Sequence, residues 1–477
     1  MPSFCPRQFD SKPHHSSSLR RLIQATLLAG IVFAGFGIMQ ADSGEKSEGK
    51  LANLLPFPNS SGFASTFSTT GSVDLTGPFF QSLGTNGRSC GSCHQPSEGW
   101  TVTPEGVQRR FRESNGNDPI FRPVDGATCP TDDVSTREAR RKAYSLLLNK
   151  ALIRIDRPLP ATAEFSIVDI DDPYGCSAKN DISVYRRPLP STNLSFLSTV
   201  MWDGRENAAG QTIAQDLIQQ ASDATTGHAQ AVTAPDAAIL QQIRDFEVDL
   251  FTAQAFDHRA GALFTDGAQG GAKTLSQQNF FLGINDPLGG NPTGAAFSST
   301  IFTLFQDWKL DGDEHRRTAE AEAAVKRGEV LFNTLNIPIT GVGGLNDKLG
   351  VPVINGFCGT CHDSPNVGDH SVAAPLNIGL TDPSQRTPDL PLFTLKNNTT
   401  GETVQTTDPG RAMVTGQWAD IGKFKGPILR GLAARAPYFH NGSAASLLDV
   451  VNFYNTRFKL NLTNQQKSDL VAFLQTL

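Results

Sequence analysis

The chain carries no excess of positive charge: 41 Lys and Arg face 47 Asp and Glu, for a net charge of −6 over 477 residues. That balance argues against nucleic acid as a partner. Sustained apolar–polar alternation, the mark of half-buried strands, is also missing, and the fold class expected is all-α. Sulfur and imidazole are scarce, with seven cysteines, four methionines and nine histidines. Only Met201 and Met413 lie beyond the N-terminal leader, so a thioether ligand has few sources. From Gln95 to Met201 there is no histidine at all.

Four of the seven cysteines fall in two pentapeptides, Cys90-Gly91-Ser92-Cys93-His94 and Cys358-Gly359-Thr360-Cys361-His362. C-x-x-C-H is the attachment signal of c-type haem. Its cysteines form thioethers with the two vinyl groups of one porphyrin, and its histidine is the proximal iron ligand. The cofactors expected are two covalently attached haem c groups, with His94 and His362 on the irons. A pair of zinc knuckles is the competing reading, and neither motif has the second Cys/His pair it would need.

Haem c is attached outside the cytoplasmic membrane, so an export signal is expected. Arg20 and Arg21 precede an apolar run from Leu22 to Met39, with a polar exit at Asp42. That is the anatomy of a secretory leader. No small-residue cleavage site precedes Asp42, and an uncleaved leader would be the one route to a membrane. The reading is a soluble periplasmic protein. Cys5 falls in the leader, and the remaining pair, Cys129 and Cys176, suits a disulfide in an oxidising compartment. Two buried thiols are the alternative.

Composition divides the chain into a leader or anchor over 1–41 and a flexible Ser/Gly/Pro-rich lead-in over 42–76. Two cytochrome c-type haem domains follow, over 77–282 and 319–477, joined by a connector over 283–318. The first holds a long loop-rich insertion from Trp100 to Asp181. Helical periodicity marks Thr136–Leu148, Gln211–Gln219, Pro235–Gln254 and Ala319–Phe332, and Thr463 with Gln466 reads as a capping box opening the last helix. A cytochrome c fold crosses its terminal helices at a small residue, and Gly328 is the natural crossing point.

Three further blocks carry information: Arg186-Arg187-Pro188 through Asn193 to Trp202-Asp203-Gly204-Arg205; Gly422-Lys423-Phe424-Lys425-Gly426-Pro427-Ile428-Leu429-Arg430; and Ala436-Pro437-Tyr438-Phe439-His440-Asn441-Gly442, leading to Tyr454. In order and register, these blocks and the haem motifs resemble the bacterial dihaem cytochrome c peroxidases and their relative MauG. The insertion and the connector are not covered. The resemblance implies a peroxidatic N-terminal haem, an electron-transfer C-terminal haem and a relay tryptophan between them, Trp202 here. It implies Gln215 as a distal group at the first haem. The family's distal glutamate has no counterpart, and His228 stands near its place. An imidazole there could take the proton of bound peroxide and return it to the leaving oxygen. An exposed loop histidine and a sixth iron ligand are the alternatives, with Gln215 or Glu247 next in line as proton shuttle.

The sixth ligand of the second iron lies fourteen positions after the P-Y-x-H histidine in this family. Counting from His440 gives Tyr454, as in MauG, where the peroxidase branch has methionine. A phenolate favours oxidised iron. Met413 and His370 are the rivals. The family's gating histidine would lie between the first motif and Arg186; its absence implies that the first haem needs no reductive activation. The asparagine that holds calcium in the family is Arg187 here, whose guanidinium would supply the cation's charge, which argues against calcium. The function expected is a peroxidase/MauG-like oxidoreductase acting on hydrogen peroxide or oxygen, with a redox partner protein or small electron donor. A rubber-oxygenase-like dioxygenase and a dihaem electron carrier are the alternatives. The oxidised substrate is not encoded in these motifs.

Overall fold

The computed structural model describes residues 49–207, 211–309 and 316–477. The leader, Cys5, the start of the lead-in and part of the connector lie outside the described residues. No helix among the described residues is long and apolar enough to cross a membrane.

The all-α expectation is corrected by the architecture: eleven helices stand beside thirteen strands in five sheets among the described residues. The reason is physical. The strands are short, and several are buried on both faces, so no alternation marks them. Gly62–Ser68 is buried at Gly62, Ala64, Ser65, Thr66 and Ser68, and Asp181–Arg186 is buried from Ile182 onward. Residues read as a flexible lead-in form four strands between Lys50 and Asp74. One of these, Gly62–Ser68, pairs antiparallel with Leu250–Asp257 in a four-stranded sheet. The periodic run expected from Pro235 to Gln254 is therefore split. Its helix, Ala237–Val248, opens on the Asp236 cap and ends where the chain turns into the strand.

The insertion is more ordered than its composition suggests. Helix Pro104–Ser114 and the pair Arg137–Ala143 and Ser145–Lys150 bury Val107, Phe111, Phe121, Tyr144 and Leu147 in one core. Thr136 caps its helix by accepting from Ala139 N. Cys129 and Cys176 are joined in a disulfide. Strand Phe165–Asp171 of the insertion pairs with Leu392–Asn397, far along the chain, and closes a core with Ile182, Val184, Phe393 and Met413.

In the C-terminal half, helix Arg316–Thr334 packs against helix Asn464–Gln475, whose Thr463 and Gln466 form the capping box. Gly328 sits at the crossing: a Cβ there would fall inside the Asp469 carbonyl oxygen and lie 2.6 Å from Phe473 Cβ. Val325, Phe332, Leu470, Phe473 and Leu474 fill the adjoining core.

Candidate functional site

Each C-x-x-C-H segment folds as a tight 3-10 turn, Cys90–Ser92 and Cys358–Thr360, followed directly by its histidine. His94 Nδ1 lies 2.9 Å from the Trp100 carbonyl, and His362 Nδ1 lies 2.7 Å from the Gly368 carbonyl. A carbonyl only accepts, so both protons sit on Nδ1 and both Nε2 lone pairs are left free. That is how a metal-ligating imidazole is oriented by its backbone partner. Burial, reinforced by His228 nearby, lowers His94 to about 4. Burial likewise lowers His362. Both rings are neutral near pH 7, as ligands must be.

Each segment lines a cavity of its own. Among the described residues no three His, Cys, Asp or Glu side chains converge as a metal-ion site, so the zinc reading has no ligand set. The cavity walls differ. The first carries seven Arg and Lys side chains against two carboxyls, Asp125 and Glu247. Burial pushes Arg187 and Arg435 down to about 10, Arg430 to about 9 and Lys425 to about 8. Lys425 faces the buried carboxyl of Asp369, and the guanidiniums, short of anions, suit a group that brings two propionates. The second cavity is apolar, with Lys425 the one cation among its lining residues. Both walls fit haem.

Tyr454 lines the second cavity, and burial raises its phenol. The two rivals lie elsewhere. Met413 is 1% exposed within the core around Phe393, and His370 pairs through Nδ1 with Asp363 at 2.9 Å, outside the cavity lining. A further imidazole does line it: His440, stacked on Phe424 with centroids 4.2 Å apart, with neither ring nitrogen hydrogen-bonded. The sequence singled His440 out only as a counting point.

His228 lines the first cavity and caps the end of helix Ile213–Gly227. Its Nδ1 bonds Asp125, whose other oxygen pairs with Arg88. Burial alone would raise the Asp125 carboxyl, but the Arg88 guanidinium and the His228 bond hold it below the usual carboxylate range. Neither Asp125 nor Arg88 belongs to a recognisable motif, and no sequence signal would have found them. Gln215 is not brought to the cavity. Its Oε1 accepts from Thr212 N at 2.8 Å in the capping box of that helix, and Gln220, farther along the same helix, lines the cavity instead. Glu247, one of the fallback residues, does line the cavity. It is 6% exposed, its Oε2 has no hydrogen bond, and burial raises it to about 8.

Trp202 lines both cavities. Its Nε1 donates to the Arg187 carbonyl at 2.8 Å, its carbonyl accepts from Lys425 N at 2.9 Å, and its ring meets His440 edge-on at 6.2 Å. The block around it is pinned by buried ion pairs. Arg186 forks onto Asp408 at 2.7 and 2.9 Å and also reaches Asp203, which Arg205 shares. The Arg187 guanidinium donates to three backbone carbonyls, of Lys150, Val102 and Arg435, at 2.9 to 3.1 Å.

No family model matches the chain. Individual relatives do. It is 31% identical over 208 residues to the cytochrome-c peroxidase IdrP1 of Denitromonas iodatirespirans, covering 38% of this chain and 48% of that one. It is 34% identical over 122 residues to the cytochrome c551 peroxidase of Nitrosomonas europaea, covering 25% and 30%. With the methylamine utilization protein MauG of Methylophilus methylotrophus it shares 27% identity over 318 residues, covering 62% and 69%. The chain thus spans about half the length of the first relative and more than two thirds of MauG. These relatives and the blocks around Trp202 and His440 point one way: the chain is similar to bacterial cytochrome c peroxidases and to MauG.

Proposed function

We propose that the protein is a periplasmic oxidoreductase with two covalently attached haem c groups. In this reading it reduces hydrogen peroxide, or activates oxygen, at the first cavity and exchanges electrons with a partner protein or small donor through the second. Cys90, Cys93 and His94 would hold one haem. Cys358, Cys361, His362 and Tyr454 would hold the other. The bound irons supply the redox chemistry. The observation that carries the proposal is Trp202, which lines both cavities and would offer an electron path between them.

The chain's own residues supply the rest. His228 Nε2 takes the proton of peroxide and returns it to the departing oxygen, which general acid–base catalysis rewards with roughly 10²–10⁴ in rate. Buried cations of the first wall anchor propionates. The Arg187 guanidinium, held by three carbonyls, provides fixed positive charge beside Trp202 where the family uses calcium. The two domains over 77–282 and 319–477 would each hold one haem.

Resting ferric protein should show a high-spin signal in its EPR spectrum and react with peroxide without prior reduction, because no histidine lies between the first haem motif and Arg186 to close the site. His228→Ala should slow that reaction by roughly 10²–10⁴-fold with haem content intact. Trp202→Phe should leave peroxide cleavage fast but slow equilibration between the haems. Two low-spin haems with no peroxide reaction would instead identify an electron carrier.

A further inference from the structure

We infer that Asp125, supplied by the insertion, is a positioning residue for His228: it fixes the imidazole with its proton on Nδ1 and with Nε2 turned to the first cavity. The inference rests on the reading of His228 as the proton-handling group.

The backbone of His228 is fixed from two sides, its N–H donating to Ala224 O at 2.8 Å and its carbonyl accepting from Asn86 Nδ2 at 2.8 Å. Nothing in that anchoring selects a ring tautomer, and the side chain is 36% exposed, so packing does not select one either. The Asp125 carboxylate does. It pairs with Arg88, both side chains being nearly sealed from solvent at 6% and 3%. A guanidinium never deprotonates in a protein, so the carboxylate facing it is an acceptor only, and the His228 nitrogen bonded to it must carry the proton. Nε2 is then an empty acceptor at rest, and an imidazolium formed by protonation there is held by the carboxylate behind it.

The support behind Asp125 comes from the insertion as well. Arg88 Nε and Nη2 donate to the carbonyls of Pro119 and Ile120 at 3.0 and 2.6 Å, and Arg154 N donates to Asp125 O at 2.7 Å. The segment that the family resemblance leaves uncovered thereby contributes a side chain to the first cavity.

The test is a mutant cycle on the full holoprotein, read by cyanide association at the first haem. Hydrogen cyanide must give up its proton as it binds, so the readout follows the proton acceptor without turnover. Asp125→Asn should keep two haems and slow association by roughly 10–100-fold. Asp125→Glu, which keeps the acceptor and the counter-charge for Arg88, should recover most of the rate. In a His228→Ala background Asp125→Asn should slow association no further. An equal Asp125→Asn effect with and without His228, or a full rate in Asp125→Asn while His228→Ala is slow, overturns the positioning role. A full rate in His228→Ala alone overturns the proton-handling reading beneath it. Should Asp125→Asn fail to retain haem, Asp125→Glu goes through the same cycle, and any slowing it causes must vanish without His228.

Discussion

Glu247 should make the protein lose stability as pH rises through neutrality, and Glu247→Gln should abolish that loss. The carboxyl lies in the first cavity wall at 6% exposure, with Oε2 unbonded and no cation paired with it. Burial raises it from an ordinary 4.5 to about 8. The folded protein thus binds this proton more tightly than the unfolded chain. Its contribution is complete below about pH 4.5 and is lost as pH rises toward 8. Each pH unit across that window costs about 1.4 kcal/mol, so the loss reaches about 3 kcal/mol by pH 7. The neutral amide keeps the shape of the protonated acid and titrates nowhere. Thermal unfolding of the two holoproteins, followed by circular dichroism from pH 5 to pH 8, should give curves that meet at the acid end. The wild type should fall progressively below the variant above it. Parallel curves over the whole range would refute the reasoning and mean that a charge-compensating group reaches Glu247.

Tyr454→Phe should change the low-spin ferric EPR signal of the second haem and raise its potential, because the phenol oxygen proposed to bind the iron is removed while the ring's packing against Phe453 and Phe458 is kept. Unchanged spectra would return the ligand question to His440, the other imidazole of that wall. Gly328→Ala should lower the thermal midpoint, since the added methyl meets the Asp469 carbonyl and Phe473 at the helix crossing, at a cost of about 1–3 kcal/mol. A midpoint equal to or above wild type would show that the helices separate freely and that the gain in helix propensity, about 1 kcal/mol, prevails.

What could be read from the sequence was set by local chemistry. The C-x-x-C-H turns, the Thr463–Gln466 capping box and the Thr136 cap each complete themselves within a few residues. Gly328 was legible because a helix crossing that close tolerates no side chain at all. The sheets were not legible, because their partners lie far apart: Phe165–Asp171 finds Leu392–Asn397, and Gly62–Ser68 finds Leu250–Asp257. Before pairing, those strands differ little from loops. Where the run Ala237–Asp257 changes from helix to strand, the apolar residues continue without a break. The waiting sheet edge decides the matter, and propensity does not.

The site divides along the same line. Counting along a motif reached Tyr454 and Trp202, which line the cavities. Counting also reached Gln215, and there it met the competing use of a glutamine at the third position of a helix, where Oε1 is spent on the Thr212 N–H. T-x-x-Q in this stretch is the local signal for that capping box. Asp125 lies beyond any such count. It reaches His228 across 103 positions of chain, from an insertion outside the motif blocks. The charge of the first cavity follows from that placement. Its one ionised carboxylate is committed to Arg88 and His228, and its other carboxyl, Glu247, is raised to about 8. Of the remaining buried cations of the wall, Lys425 faces Asp369, whereas Arg187 and Arg435 are held by backbone carbonyls alone, which leaves their charge to an anion from outside the chain.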